Sequence, residues 1–442
     1  MVIGGEAGRD QARRGNCRDV VEGLKGRDGS LFEIGLGLAA PWKVVRSGLE
    51  ECSAQSKILY VDIDFENGSK FPCPCCEKPC AVYDSEVKRW RHMNFWQHAT
   101  YLSARVPRVE CPEHKVRQVE VPWARAESGF TLMFEALVMA LVKEMAVSAV
   151  GALVGEHDTR LWRIVRHYVG EAHAAQDWSE VAAVAIDETA TRKGQRYATV
   201  VVEIDLETRR QARLLFMTPE RTAVSVGQFV EAMDAHGANA QQVRVAAIDM
   251  SAAYQKGVAE HLPQAQVVFD PFHVMKLTGE AVDGVRKDLR AQGADVKGAM
   301  WALRGNWENL KQEQRELRLE LCARHKALGR AIALRESLQE TWQWPGPVSA
   351  ALHLQGWCSW AARSRLAPFQ KLARTIKAHS DGILAFYPNR VTSAAIEAIN
   401  GIIQTARRRA RGFRNFLNLQ AICYWMAGRL TLPIPSPFAH PQ

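Results

Sequence analysis

Two runs of apolar β-formers each end in an aspartate that opens onto small polar residues: Val184-Ala185-Ile186-Asp187-Glu188-Thr189 and Val245-Ala246-Ala247-Ile248-Asp249-Met250-Ser251. Runs this short and this uniformly apolar read as strands buried on both faces, so the carboxylate at each end is delivered to the rim of a sheet. A third carboxylate, Glu397, falls on a predicted helix that starts near Thr392 or Ser393 and has Ile396, Ile399, Ile402 and Ile403 on its apolar side. Directly after it come Arg407, Arg408, Arg409, Arg411 and Arg414. Two strand-end carboxylates and one from a packed helix make an oxygen-rich pocket of the kind that hard Mg²⁺ or Mn²⁺ prefers. With two ions about 3.5 to 4 Å apart, one activates water or a 3′-hydroxyl and the other stabilises the leaving oxygen of a phosphodiester. A single strand-end aspartate more often closes a turn. The joint placement of Asp187 and Asp249, with arginines suited to phosphate close behind Glu397, favours chemistry on a polyanion.

The surroundings of these residues predict a mixed sheet. Strand patterns at 181–186, 197–205 and 211–217 are followed by a helix over 223–235, a strand over 243–248, a helix near 252–261 and a short strand at 267–269. Three meandering strands, a helix and another strand give the ribonuclease-H-like order. Glu188, next to Asp187, points to the other face of an extended chain. Asp270 and His273 close the last strand, where they either orient a ligand or a scissile phosphate or simply begin a helix. Residues 274–389 read almost wholly helical and are too long for a connection, so they form an all-helical subdomain inserted into the sheet domain.

Ahead of this region lie two smaller modules. Cys73-Pro74-Cys75-Cys76 and Cys111-Pro112-Glu113-His114 are two short turns that each offer two ligands, a common solution for tetrahedral Zn²⁺. The expected structural zinc ligands are Cys73, Cys76, Cys111 and His114, with Cys75 or Cys80 as alternatives to Cys76 and with His92 and His98 as other candidates. Before the first turn, residues 31–47 suggest a short helix ending at Pro41, then a strand over 57–65. Beyond the second turn, Val147 to Gly155 and Glu156 to Val165 form a helix-turn-helix pattern, with Gly155 in the turn and Asp158 or Thr159 as cap. In that unit Arg160 and Arg163 face DNA while Leu161, Ile164 and Val165 hold the helix, although a plain αα-hairpin makes the same pattern.

Net charge is modest, +9 from 57 basic and 48 acidic residues, so a polyanion partner is argued from the local arginine run and not from the total. The ten cysteines are no disulfide framework, because four of them crowd into 73–80, and a reducing compartment is the simpler reading. Residues 1–29, glycine-rich and charged, lack the apolar stretch of a secretory start. No segment approaches 18 uninterrupted apolar residues, which predicts no membrane association. A cytoplasmic protein, bound to the nucleoid when on DNA, is the resulting expectation.

Taken together, these residues resemble the DDE transposases of bacterial insertion sequences, IS-L-three type. The most specific pieces are the two zinc turns, Ala185-Ile186-Asp187-Glu188, Ala247-Ile248-Asp249-Met250-Ser251, Phe269-Asp270-Pro271-Phe272-His273-Val274-Met275-Lys276-Leu277, and Thr392 to Asn400 running into Arg408-Arg409-Ala410-Arg411-Gly412-Phe413. The resemblance implies a multidomain α/β chain: a loose extension (1–29), a zinc-binding domain (30–125), a helix-turn-helix DNA-binding domain (126–171), a ribonuclease-H-like catalytic domain (180–273 and 390–432) and the helical insertion (274–389). It implies Asp187, Asp249 and Glu397 as the catalytic triad and ligands of two Mg²⁺ or Mn²⁺ ions, with DNA contacts from Arg160, Arg163, Arg407, Arg408, Arg409, Arg411 and Arg414. The implied partners are double-stranded DNA, both element ends and target, and further copies of the chain in a dimer or larger synaptic complex. Three rivals stand beside it: a non-cutting regulator descended from such an enzyme, a structure-specific nuclease on the same fold, and a structural protein whose carboxylates only cap strands.

Overall fold

A computed structural model describes residues 29–53, 56–192, 196–206, 212–391 and 394–434, which fall into two units, the first up to Val165 together with 433–434 and the second Arg166–Leu432. The extension expected over 1–29, apart from its last residue, and the cap expected at Thr392 or Ser393 lie outside the described residues.

In the first unit, helix α1 (Gly29–Leu36) precedes strands β1 (Trp42–Ser53), β2 (Ser56–Phe65), β3 (Lys70–Pro72), β4 (Pro79–Phe95), β5 (His98–Cys111) and β6 (Lys115–Gln118). The sheet runs β1-β2-β5-β4-β3 with β6 on β5, and only β2 and β5 pair in parallel. Period-two alternation sends Leu59, Val61, Ile63 and Phe65 of β2 and Leu102, Ala104 and Val106 of β5 into one core, where Trp42, Phe71, Trp90 and Trp123 join them. The spacing does not predict β1: Gly48 and Glu50-Glu51 break its alternation, and its strand form comes from pairing with β2 along its length.

Three helices follow, α2 (Leu132–Glu144), α3 (Val147–Val154) and α4 (Asp158–Ala174). Thr131 caps α2 by accepting the Phe134 amide, and α3 ends on Gly155 in the left-handed conformation, φ 71°. A Cβ on Gly151 would lie 2.7 Å from the backbone oxygen of Glu156, so only glycine lets the turn close this tightly. The start of α4 differs from expectation. Asp158 is already helical, and the Nδ1 of His157 accepts the Thr159 amide at 3.3 Å, because the tight turn places the ring over the free amides of the first turn.

The second unit begins its sheet with the meander β7 (Ala183–Arg192), β8 (Arg196–Ile204) and β9 (Ala212–Thr218). Helix α5 (Ala223–Ala235), β10 (Val245–Ile248), α6 (Ala252–His261) and β11 (Gln266–Phe269) complete it. The order is β11-β10-β7-β8-β9, with β11, β10 and β7 parallel and the β7-β8-β9 edge antiparallel, which is the ribonuclease-H-like arrangement. An inserted block follows: α7 (Pro271–Ala291), α8 (Met300–Arg304), α9 (Gln312–Arg324), α10 (Lys326–Glu340), α11 (Pro347–Ala362), α12 (Ala367–Ala378), α13 (Ser380–Leu384) and α14 (Phe386–Asn389). Helices α15 (Ala394–Arg409) and α16 (Phe416–Ala427) then return to the sheet. Insertion and sheet share one core, and α13 sits so close on β11 that Gly382 lies directly against the ring of Phe269.

Candidate functional site

The sheet itself aligns the acidic residues. β10 pairs with β7 through Val245↔Ala183 and Ala247↔Ala185, and continuing that register two residues sets Asp249 opposite Asp187. β11 pairs with β10 through Ile248↔Phe269, and one further step sets Asp270 opposite Asp249. Neighbouring strands are about 4.8 Å apart, so three aspartates stand in a row across three parallel strands, directly beyond the ends of β10 and β11. Asp187 is not at a strand end as expected. β7 continues to Arg192 because β8 pairs with it beyond the last parallel partner, through Asp187↔Val200 and Thr189↔Ala198.

Burial first, and then the neighbouring charges of Asp249 and Glu188, push the Asp187 carboxyl above its ordinary value, against the pull of the Glu188 amide and of His273. The ring of His273 lies 3.5 Å from Asp270, and it is raised chiefly by Asp270, then, against burial, by Asp187 and Asp249. Asp249 accepts the Ser251 amide at 2.9 Å, which fixes its carboxylate at the start of α6. Glu188 turns to the other side, as expected, and pairs with Arg221 at 2.6 Å.

Helix α15 lies along β7 through a polar seam of three residues, spaced four and three apart. Asn400 donates to Asp187 at 3.0 Å, Gln404 to Thr189 at 2.9 Å and to the Ala190 carbonyl at 3.0 Å, and Arg407 to the same carbonyl at 2.7 Å. Glu397 is one turn ahead of Asn400 on this face, exposed, and anchored by the buried Ile396 and Ile399 beside it. The seam was not anticipated. Neutral polar residues on a helix read as solvated, and only their spacing toward β7 marks them.

The three carboxylates are not drawn within one ligand cluster. Among the described residues, the one group of three or more possible ligands with all atoms within 4.8 Å is elsewhere. The donor set around Asp187 nonetheless suits a hard divalent ion, being rich in carboxylate oxygens that repel one another and including the buried Oδ1 of Asn400, which has no hydrogen-bond partner.

Of the arginines, Arg407 is engaged by β7 and Arg409 reaches Met426 at 3.4 Å, whereas Arg408, Arg411 and Arg414 are exposed. Arg192 at the end of β7 donates to the Phe413 carbonyl at 2.8 Å and to that of Arg414, tying the loop beyond α15 to the sheet.

The close cluster is Cys73, Cys76, Cys111 and His114. The β3–β4 turn supplies the first pair and the β5–β6 turn the second. Cys76 Sγ is 3.7 Å from Cys111 Sγ, and His114 Nδ1 is 3.6 Å from Cys111 Sγ and 3.8 Å from Cys73 Sγ. Ligands about 2.3 Å from a tetrahedral Zn²⁺ stand roughly 3.8 Å from each other, so the four atoms fit this ion. The His114 amide is the main cause that brings the Cys111 thiol down to about 6, against burial and with help from the His114 ring and the Glu113 amide. The other candidates are not members of this group of four: Cys80 stands next to Cys111 without joining it, and His98 faces Gln97 at 3.1 Å. Cys75 is exposed, Cys80 bonds the Lys78 carbonyl, and His92 is buried against Thr131 at 2.8 Å, its ring held neutral at about 4 by burial and by Arg91.

In the helix-turn-helix, Leu161, Ile164 and Val165 are buried and Arg163 is exposed, as the pattern predicts. Arg160 instead binds Glu156 and stacks over Phe130 at 4.4 Å.

Comparison with known proteins adds the family. A profile described as a transposase, of the ISL3 (IS-L-three) type, matches residues 184–423, more than half of the chain. The chain belongs to the ISL3 family of transposases. A helix-turn-helix domain of transposase family ISL3 matches residues 119–169, and the zinc-finger of transposase IS204/IS1001/IS1096/IS1165 matches 69–114. The transposase is 29% identical over 405 residues to the transposase for insertion sequence element IS1557 of Mycobacterium tuberculosis, which covers 84% of this chain and 88% of the relative. It is 29% identical over 365 residues to the transposase for insertion sequence element IS1001 of Bordetella parapertussis, covering 79% and 88%. It is thus a DDE-type polynucleotidyl transferase, with DNA-binding modules ahead of a ribonuclease-H-like sheet.

Proposed function

We propose that the transposase binds the terminal inverted repeats of an insertion sequence through its first unit and cuts and rejoins DNA with Asp187, Asp249 and Glu397. The observation that supports this reading is the parallel register that sets Asp249 beside Asp187, and Glu397 is offered as the third carboxylate because it lies three residues before Asn400, which bonds Asp187. The five-part domain division serves as its framework. Two Mg²⁺ or Mn²⁺ ions bound there would activate water or a 3′-hydroxyl and stabilise the leaving 3′-oxygen. The chain's own part is positioning. Asn400 fixes the Asp187 carboxylate, the Ser251 amide fixes Asp249, and the repulsion around Asp187 favours cation binding. Exposed Arg408, Arg411 and Arg414 hold flanking phosphates. Structural zinc, held by the cysteine and histidine turns, secures the first module. Two ends must be joined, so a dimer or larger assembly forms on DNA, in the bacterial nucleoid. Among the described residues, no helix is long and apolar enough to cross a membrane.

The test uses linear duplex bearing the element ends, with Mg²⁺ or Mn²⁺, and compares wild type with Asp187→Ala, Asp249→Ala and Glu397→Ala. Cleavage and joined products from wild type, lost in all three variants, are expected. Cleavage that persists in Glu397→Ala removes that residue from the triad. Binding without cutting by wild type would make the protein a regulator, and cutting without joining a nuclease.

A further inference from the structure

The zinc module and the helix-turn-helix are locked together by one buried side chain. Arg91, in β4 and only 2% exposed, reaches the Val154 carbonyl at the end of α3 at 2.9 Å through Nη2. The same Nη2 donates to Asn94 Oδ1 in the β4–β5 hairpin, while Nε lies 3.5 Å from Glu156 in the helix-turn-helix turn. The guanidinium also sits 5.6 Å from the ring of Tyr101 and 5.3 Å from that of Phe134. Its backbone joins too, since Arg91 N donates to the Gly129 carbonyl at 2.9 Å and its carbonyl accepts from Thr131 at 3.0 Å. Two acceptors that share one nitrogen are within about 6 Å of each other. The end of the hairpin therefore stands beside the turn that leads into α4.

At that end Trp96 is 76% exposed with a left-handed backbone, φ 53°, which bulky residues rarely adopt. Asn94 and Gln97 flank it, also exposed, and no acidic residue occurs between Glu86 and Glu110, a span that carries Lys88, Arg89, Arg91, Arg105 and Arg108. An indole at the tip of a hairpin that carries no acid from residue 87 to 109 has the chemistry of the apolar wedges that enter a minor groove. Accepting that the first unit binds the element ends, we propose that the β4–β5 tip is a second DNA-contacting element. It inserts Trp96 into the minor groove next to the major-groove segment read by α4, at a spacing fixed by Arg91.

The full-length, zinc-loaded protein is footprinted with hydroxyl radicals on a duplex carrying its terminal repeat, for wild type, Trp96→Ala, Trp96→Phe and Arg163→Ala. Trp96→Ala is expected to lose one protected stretch beside the α4 footprint and to bind about tenfold more weakly, the scale of losing one good apolar or base contact. Trp96→Phe should restore part of both, and Arg163→Ala should weaken the other stretch. Inserting about five base pairs, half a helical turn, between the stretches should cost wild type the same affinity and leave Trp96→Ala indifferent. An unchanged footprint in Trp96→Ala, or equal binding of wild type to the spaced duplex, overturns the proposal. Failure of wild type to protect the repeat at all would instead overturn the end-binding reading on which it rests.

Discussion

The same substitution made at two glycines of the helical insertion is expected to have opposite signs. Replacing a helix-interior glycine by alanine gains about 0.5–1 kcal/mol, since alanine loses less backbone freedom on folding. Gly356 in α11 is exposed and a Cβ there would meet nothing within 4 Å, so Gly356→Ala should realise that gain in full. Gly382 in α13 has the same entropic case, but its Cβ would stand 2.5 Å from both Cδ2 and Cε2 of Phe269. Ordinary carbon contacts are about 3.5–4.0 Å, so the overlap is on the order of 1 Å. Phe269 cannot swing aside: it is 4% exposed and its ring meets His379 at 5.1 Å between centroids. Overpacking of this kind costs about 1–3 kcal/mol and outweighs the helical gain, leaving Gly382→Ala destabilised by about 1–2 kcal/mol. For a folding unit of this size each kcal/mol moves the melting midpoint by about 2–4 °C. Calorimetry of the full chain should show the transition of the second unit rising for Gly356→Ala and falling for Gly382→Ala. Phe269→Leu in the Gly382→Ala background should recover part of the loss, because leucine has no counterpart of Cε2 and its two methyls can turn away where a rigid ring cannot. End cleavage should fall with Gly382→Ala as well, since Phe269 directly precedes Asp270. If Gly382→Ala raises the midpoint as Gly356→Ala does, the close approach of α13 to β11 is wrong.

Four further outcomes follow from the site. Asp187→Asn should abolish cleavage yet stabilise the metal-free protein. The raised Asp187 carboxyl costs the fold nothing below its ordinary value of 3.8, and the cost develops as pH rises from there through the raised value, so wild type should lose stability relative to the variant across that interval. Equal midpoints at neutral pH would contradict the repulsion inferred at Asp187. Asn400→Ala should reduce cleavage with little change in DNA affinity, and equal cleavage by the variant would remove Asn400 from the positioning of Asp187. Cys111→Ser or chelation should melt the first unit and release one equivalent of zinc, whereas zinc content that stays stoichiometric in Cys73→Ser and Cys76→Ser would refute the ligand set. Neutralising Arg408, Arg411 or Arg414 should each lower the slope of log affinity against log salt by about one, while Arg407→Met should leave the slope and lower the melting midpoint, because Arg407 holds the Ala190 carbonyl.

Much of this site was legible because the relevant signals are local. Asp187 and Asp249 announce themselves by ending apolar runs, and the zinc ligands by short turns of matched spacing. What brings Asp249 opposite Asp187 is a pairing register between strands some sixty residues apart, and no local pattern encodes it. Asn400 and Gln404 were missed for the same reason, since their partners on β7 lie more than two hundred residues earlier. Arg160, Arg407 and His92 show the converse. A charged or titratable side chain looks available in sequence, yet each is occupied by a neighbour that only tertiary structure supplies.

The seam of α15 also has a consequence for synthesis of the chain. Its partners on β7 leave the ribosome long before Asn400 and Glu397 do, with the whole insertion in between. Until residue 407 has emerged, the nascent protein holds the zinc and helix-turn-helix modules and a row of aspartates without their closing helix. A transcript broken within the insertion therefore encodes a product that lacks Asn400 and Glu397 and keeps every residue up to Val165. Such a product is expected to occupy element ends without cutting them, so that damage to the gene yields a competitor of the enzyme, which an end-cleavage assay with added 1–389 fragment would read directly.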